Sequence, residues 1–454
     1  MPAREMAAAT KALSLGERWF HLSEYGTTIK REILAGVTTF LTMAYIIFVQ
    51  PAVLSAAGMD FGAVLIATCV SSAAATLLMA FLANYPIAVA PAMGHNFFFA
   101  YTVVLTMKVP WEVALGGVAI AGIVFILTAG FGLRERVITA IPESLKHAIA
   151  VGIGLLIALI GLEWAGVIVA SPGTLVKLGR LTDPPTMLSL FGLTVMAMLF
   201  ARQVRGAALW GILATTAVGL ALGLVRYQGL VGRPPSLAPT FLKLDIAGAF
   251  RPDMIEVIFV FFFLALFDSV GTLVGVAQQA GLMQNGVLPR ARQALLADAI
   301  GTVAGAMLGT STVTAYIESA TGVSAGGRTG LANVTTAALF LLSLFFYPLV
   351  KMIGGGYPAD GGMTLYPVIA PALVLVGTMM MKGVKLIPWD DMTEAIPAFL
   401  TIILMPLAVS ITDGIAFGFI AYAVLKPVAG RGREVHWFIY LFAVLFLVRY
   451  IALT

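Results

Sequence analysis

Gly309-Thr310-Ser311-Thr312-Val313-Thr314-Ala315-Tyr316-Ile317-Glu318-Ser319-Ala320-Thr321-Gly322 is rich in Ser, Thr and Gly and carries one carboxylate, yet long apolar runs flank it. The chain around it has 454 residues, 60% of them hydrophobic and 11% charged, with a mean hydropathy of +0.99. A water-soluble fold of this size has too little polar surface for such a composition, so the chain belongs in lipid. Inside a bilayer, irregular polar backbone survives only where protein buries it or water reaches it. An intramembrane carboxylate marks a functional site by default. The stretch therefore reads as a broken span that binds something crossing the membrane.

Apolar runs long enough for a span lie near 33–54, 62–83, 113–132, 144–168, 187–202 and 206–226, with an interrupted one near 86–107. After a polar stretch come 254–279, 293–308, 329–350, 364–381, 394–410 and 412–427, with 310–325 as the interrupted member. The expected architecture is an all-α integral membrane protein of fourteen spans, seven plus seven. A final apolar run, 436–453, has no partner in this count and is expected to be a terminal interfacial helix or part of the last span. The expected divisions are an N-terminal segment 1–32, repeat 1 over 33–226, a connector 227–253, repeat 2 over 254–427, and a tail 428–454.

The halves echo each other. Phe40-Leu41 to Gly58-Met59 and Phe263-Leu264 to Gly281-Leu282 share one spacing. The same gapless offset of 223 lays Pro91-Ala92-Met93-Gly94-His95-Asn96 on Thr314 to Ser319, so the two interrupted segments coincide and His95 falls on Glu318. An odd number of spans inverts the second repeat. Loop charges agree with a cytoplasmic N-terminus. Lys30, Arg31, Arg134, Arg136, Arg202, Arg205, Arg328 and Arg431 gather on one side, and the fewer Lys108, Arg226, Lys243 and Lys351 on the other. The net charge of +5 is thus a topology signal, and no nucleic-acid partner is expected. Paired broken helices in inverted repeats are the signature of a secondary transporter with a midplane site. One cysteine, Cys69, and four histidines without zinc-site spacing leave no metal or cofactor expected.

Asp268, in Phe267-Asp268-Ser269-Val270-Gly271-Thr272, lies deep in an apolar span. Apolar burial disfavours the charged form of a carboxyl, so such a group suits proton coupling. The competing reading is a structural carboxylate bonded to nearby backbone. Glu318 follows a Thr-rich extended segment, ahead of a helix expected to restart near Tyr316. It suits the N–H groups of a heterocycle; helix capping is its plainer role. Asn96 offers both a donor and an acceptor. His95 reads equally as a ligand or as a packing residue. Asp298, in Leu295-Leu296-Ala297-Asp298, is expected to support the broken segment from a neighbouring helix, and Thr314 within that segment supports it too. Gly326-Gly327-Arg328-Thr329-Gly330 lacks the Walker lysine and reads as a turn.

Ile33 to Val49, with Phe40-Leu41-Thr42-Met43-Ala44-Tyr45 at its centre, resembles the first span of AzgA-like purine permeases of the nucleobase–cation symporter-2 (nucleobase–ascorbate transporter) group. Ala90-Pro91-Ala92-Met93-Gly94-His95-Asn96-Phe97-Phe98-Phe99-Ala100-Tyr101 is similar to their third-span motif, Phe267 to Thr272 to their eighth, and Gly309 to Gly330 to their tenth. The resemblance implies a fourteen-span fold with a core domain (33–133 plus 254–352) and a gate domain (140–226 plus 364–427). Spans 3 and 10 would each be a short strand plus a half-helix. It also implies import of adenine, guanine or hypoxanthine with protons, an elevator motion, and a homodimer in the cell membrane. By motif, Asp268 and Glu318 bind the base and are the proton-coupling candidates. Asn96, His95, Thr272, Ser319 and Phe97 complete the expected contacts. Thr272 stands where some relatives carry a histidine, Ala265 where many carry a second acid, and His95 where an apolar residue is usual. The alternatives are an anion transporter on the same fold, which the two carboxylates disfavour, and a membrane-embedded enzyme, which lacks a nucleophile or ligand cluster.

Overall fold

The computed structural model describes residues 15–130, 141–283, 288–359 and 364–452. Arg134, Arg136 and the first fourteen residues of the expected N-terminal segment lie outside them. Each expected span is helical over most of its described residues, except the two interrupted segments, which each begin with a strand. Among the described residues, eight helices are long and apolar enough to cross a membrane, and Ala207–Ala221, Met392–Leu407 and Trp437–Ile451 are shorter apolar helices. The strands pair only in twos. One pair is an unforeseen hairpin of Ile168–Ser171 and Leu175–Leu178 after the helix Glu143–Trp164.

Local chemistry sets the ends. Asp60 accepts a hydrogen bond from the Ala63 amide at 2.8 Å and starts Phe61–Leu78. Gly309 ends Ala291–Leu308 at φ +100°, and a Cβ there would lie 2.2 Å from Thr240 Cβ, so only glycine fits. Glu32 is fully buried. It accepts from the Thr27 hydroxyl (2.8 Å) and from the amides of Arg328 (2.9 Å), Thr329 (3.3 Å) and Ala332 (3.2 Å). That one carboxylate holds the glycine-rich turn before Gly330–Ser343, and no phosphate loop is formed.

Two bundles emerge from the packing. Trp111–Gly130 packs on Ala291–Leu308, and Gly330–Ser343 packs on Ile29–Met43 and Phe61–Leu78. Separately, Glu143–Trp164 packs on Ala370–Met380 and Met392–Leu407, which in turn meets Ile411–Val428. Each bundle draws helices from both halves of the chain.

The two interrupted segments meet between the bundles. Val89–Pro91 (β1) pairs antiparallel with Val313–Ala315, the strand within the quoted stretch, in the register Val89 to Ala315 and Pro91 to Val313. The Ala92 amide donates to the Thr312 carbonyl at 3.0 Å, and the Tyr316 amide to the Ala88 carbonyl at 2.9 Å. Thr76 clasps Val89, donating to its carbonyl (2.9 Å) and accepting from its amide (3.0 Å). Thr302 clasps Val313 in the same way (2.8 and 3.3 Å). Antiparallel pairing of matched strands, each held by a matched threonine, is what an inverted repeat requires.

Candidate functional site

A cavity of about 150 Å³ opens where the strands give way to helices. Its polar wall is Asp268, Thr272, Tyr316, Glu318 and Tyr45. Ala92, Met93 and Gly94 close it from the first half, and Val376, Met379 and Met380 of the helix Ala370–Met380 close it from the other bundle. The site therefore has one polar side and one adaptable, methionine-rich side.

Glu318 sits at the N-cap position of Ser319–Ser324, but its side chain makes no capping bond. Instead its Oε1 accepts from the Tyr45 hydroxyl at 2.9 Å. Its backbone is pinned separately: Thr321 donates to the Glu318 carbonyl at 2.7 Å, and Thr42 and Thr321 hydroxyls lie 3.0 Å apart. The plainer role of cap is thus not the one its carboxylate plays. Asp268 accepts from the Thr314 hydroxyl at 3.1 Å. It is exposed towards the cavity rather than sealed in apolar surroundings. The fully buried acid beside the site is Asp298, whose Oδ2 accepts from the Ala315 amide at 3.2 Å and so props the strand from behind. Asp298 thus touches the broken segment from a neighbouring helix, and Thr314, within that segment, touches Asp268.

The structure separates the remaining expected contacts. Asn96 is fully buried and accepts from the Ser311 hydroxyl, tying the first half-helix to the second segment. Ser319 accepts from the Ala88 amide at 3.0 Å. The Phe97 ring stacks on Tyr101 with centroids 5.7 Å apart and lies 6.4 Å from Trp164. His95 is 3% exposed. These four lie behind the cavity wall and do not line it. The matching of His95 to Glu318 also changes. One residue, Ala92, separates β1 from its helix, while Tyr316, Ile317 and Glu318 separate the second strand from its own. By the helix starts, the counterpart of Glu318 is Ala92.

Sequence reasoning did not single out Tyr45, Tyr316, Met93 or the methionines of the facing helix. Tyr45 lies where the first span breaks, between Ile29–Met43 and Ile46–Ala56, and a hydroxyl in an apolar span was the available signal. Tyr316 donates to the Pro91 carbonyl at 2.5 Å and locks the two segments together. Among the described residues, no group of His, Cys, Asp and Glu is arranged to hold a metal ion.

A sequence model described as "Permease family" matches residues 30–417. The adenine permease AdeP of Escherichia coli is 45% identical over 441 residues, spanning 97% of both chains. The guanine/hypoxanthine permease PbuG of Bacillus subtilis is 44% identical over 447 residues, spanning 96% of this chain and 99% of that one. In fold, the chain is similar to the transmembrane domain of the cyanobacterial bicarbonate transporter BicA, with a TM-score of 0.61 at 15% identity over 85% of this chain and 97% of that one. The enzyme reading ends with these matches, and the chain is a multi-pass membrane protein that belongs to the nucleobase–cation symporter-2 permease family, with AzgA-like purine permeases among its relatives.

Proposed function

We propose that the protein imports purine nucleobases across the cell membrane, with its N-terminus in the cytoplasm. The observation that carries this reading is the cavity itself, with Asp268 and Glu318 on one wall and methionines on the other. A purine presents ring N–H groups at its edge and a flat apolar face. Two carboxylates suit the edge, and the Tyr45 and Tyr316 rings with Met379 and Met380 suit the face. The names of the relatives support the same substrate class. An anion would meet two carboxylates here, which disfavours the bicarbonate-like alternative despite the shared fold.

Fourteen spans form a core (33–133 plus 254–352) and a gate (140–226 plus 364–427) in this reading. The core carries Asp268 and Glu318, the gate carries Val376 to Met380, and the core slides along the gate. Protons drive the cycle through Asp268 and Glu318, and two copies form a dimer. In vesicles, a pH gradient alone should accumulate labelled hypoxanthine, adenine or guanine, and a protonophore should abolish the accumulation. Accumulation that follows sodium and ignores pH sinks the proton reading. Competition by sulfate or bicarbonate but by no purine sinks the substrate reading.

A further inference from the structure

The chain ends in a helix that neither repeat accounts for. Trp437–Ala452 has 16 residues, as many as Met392–Leu407, and so is about 24 Å long. It runs antiparallel along Ile411–Val428 from end to end. Glu434, just before it, pairs with Lys426 at 2.9 Å. Further on, the Phe446 and Phe419 rings lie 6.3 Å apart. Last, the Tyr450 ring lies 5.8 Å from Phe417, and its hydroxyl donates to Asp413 Oδ1 at 2.5 Å. A helix lying on the membrane surface would touch one end of an upright neighbour, not its whole length.

The composition agrees. Arg449 is the only charged residue in this helix, whereas interfacial helices carry a broad charged face. Ile439, Ala443 and Phe446 are buried, and Leu441, Val444, Leu445, Val448 and Ile451 are exposed along the opposite side. The outward side is apolar throughout and fits acyl chains.

The two ends differ in chemistry. Before the helix, Arg431 bonds Asp391 at 2.5 Å and Glu434 at 2.7 Å. It holds both carboxyls down to about 2, and Arg433 beside them is exposed. At the far end, Arg449 lies 2.9 Å from Glu256 Oε1 and 3.3 Å from Asp413 Oδ1. Glu256 belongs to the first turn of Met254–Gln279, and Asp413 to the first turn of Ile411–Val428. Arg449 thus reaches the face of the bundle where those two helices begin.

We propose that Trp437–Ala452 crosses the bilayer once more, with acyl chains on its outer side and Arg449 stapling the start of Met254–Gln279 to the start of Ile411–Val428. The two stapled helices belong to the core and the gate of the proposed transport cycle, so the Arg449–Glu256 pair must part when the core slides. The meaning of the staple rests on that reading; the crossing does not. The chain then ends on the side of the membrane opposite Arg433.

Arg433→Cys provides one probe, because wild-type Cys69 is buried and silent. A reporter fused after Thr454 provides the other, as alkaline phosphatase in one version and green fluorescent protein in the second. An impermeant maleimide should reach Cys at 433 only from the side opposite the reporter. Both on one side overturns the crossing. For the staple, thermal melts of Arg449→Gln, Glu256→Gln and the double variant are compared. The double variant should melt close to the worse single one, and additive losses overturn the staple. Neither readout uses purine transport, so a failed substrate reading leaves both tests intact.

Discussion

The two interrupted segments are alike in backbone and unlike in chemistry. Both strands are three residues long, each clasped twice by one threonine of a neighbouring helix. Yet the second half supplies Asp268, Asp298 and Glu318, while the first supplies Tyr45, close packing and the backbone of Ala92 to Gly94. Because an inverted repeat brings both segments to a single cavity, one copy of the acidic chemistry serves it. The first copy is then free to pack. A Cβ on Gly94 would lie 2.8 Å from Ile153 Cγ2, so this half-helix runs close against the helix Glu143–Trp164 of the other bundle. The two extra residues between the second strand and its helix are what bring Glu318 to Tyr45.

The sharpest way to break this contrast is to remove the acid. Glu318→Ala should abolish purine uptake and weaken binding by ~1.5–3 kcal/mol, the range for a hydrogen bond to a charged group. Glu318→Gln, which turns an acceptor oxygen into a donor, should weaken it less. Tyr45→Phe, the first half's contribution to the same contact, should cost no more than ~1 kcal/mol because the carboxylate remains. Calorimetry on purified protein reads all three. Equal affinity for wild type and Glu318→Ala would contradict the assignment, and a larger loss from Tyr45→Phe would reverse the contrast.

Thr76→Val and Thr302→Val test the likeness. Each strands a buried backbone N–H and C=O, at ~1–3 kcal/mol. The two variants should lower the melting temperature by similar amounts. A drop confined to one of them would show that the repeats are not mechanically equivalent.

Gly94→Ala should cost less, towards the low end of the ~1–3 kcal/mol of overpacking, since the Ile153 methyl can turn aside. Its effect should fall on uptake rate more than on binding, because in the proposed cycle the contact lies between core and gate. Ile153→Ala should restore the rate. Wild-type uptake by Gly94→Ala alone would show that the close approach has no part in transport.

Much of this was legible because lipid makes polar residues conspicuous. Thr310 to Thr314 and the Pro91–Gly94 pair announced the breaks, and Asp268, Asp298 and Glu318 stood out in apolar runs. What stayed hidden was hidden for physical reasons. Met379 and Met380 look like any lipid-facing or core side chains until the facing bundle is in place. Tyr45 reads as one more aromatic in an apolar span. A gapless offset cannot register that three residues, Tyr316 to Glu318, do what Ala92 does alone, so His95 was laid on Glu318. The openness of Asp268 was equally out of reach, since depth in a helix does not reveal a cavity beside it. Trp437–Ala452 was visible as an apolar run, but only its pairing along Ile411–Val428 shows which way it runs.

The smallest expected effect belongs to His95. The family resemblance implies an apolar residue at this position, and by structure His95 is buried one residue beyond the lining residues Ala92, Met93 and Gly94. From there it acts on a purine only through the half-helix that carries it. His95→Leu should therefore leave uptake intact and change the ratio of adenine to oxo-purine affinity by no more than a few-fold, ~1 kcal/mol or less, as expected of a volume-similar core substitution. A melting temperature equal to or above that of wild type should accompany it, because an apolar side chain relieves the cost of burying an imidazole. A large switch in base preference would place the ring in contact with substrate during the cycle. That outcome would return to the first segment some of the chemistry assigned here to the second.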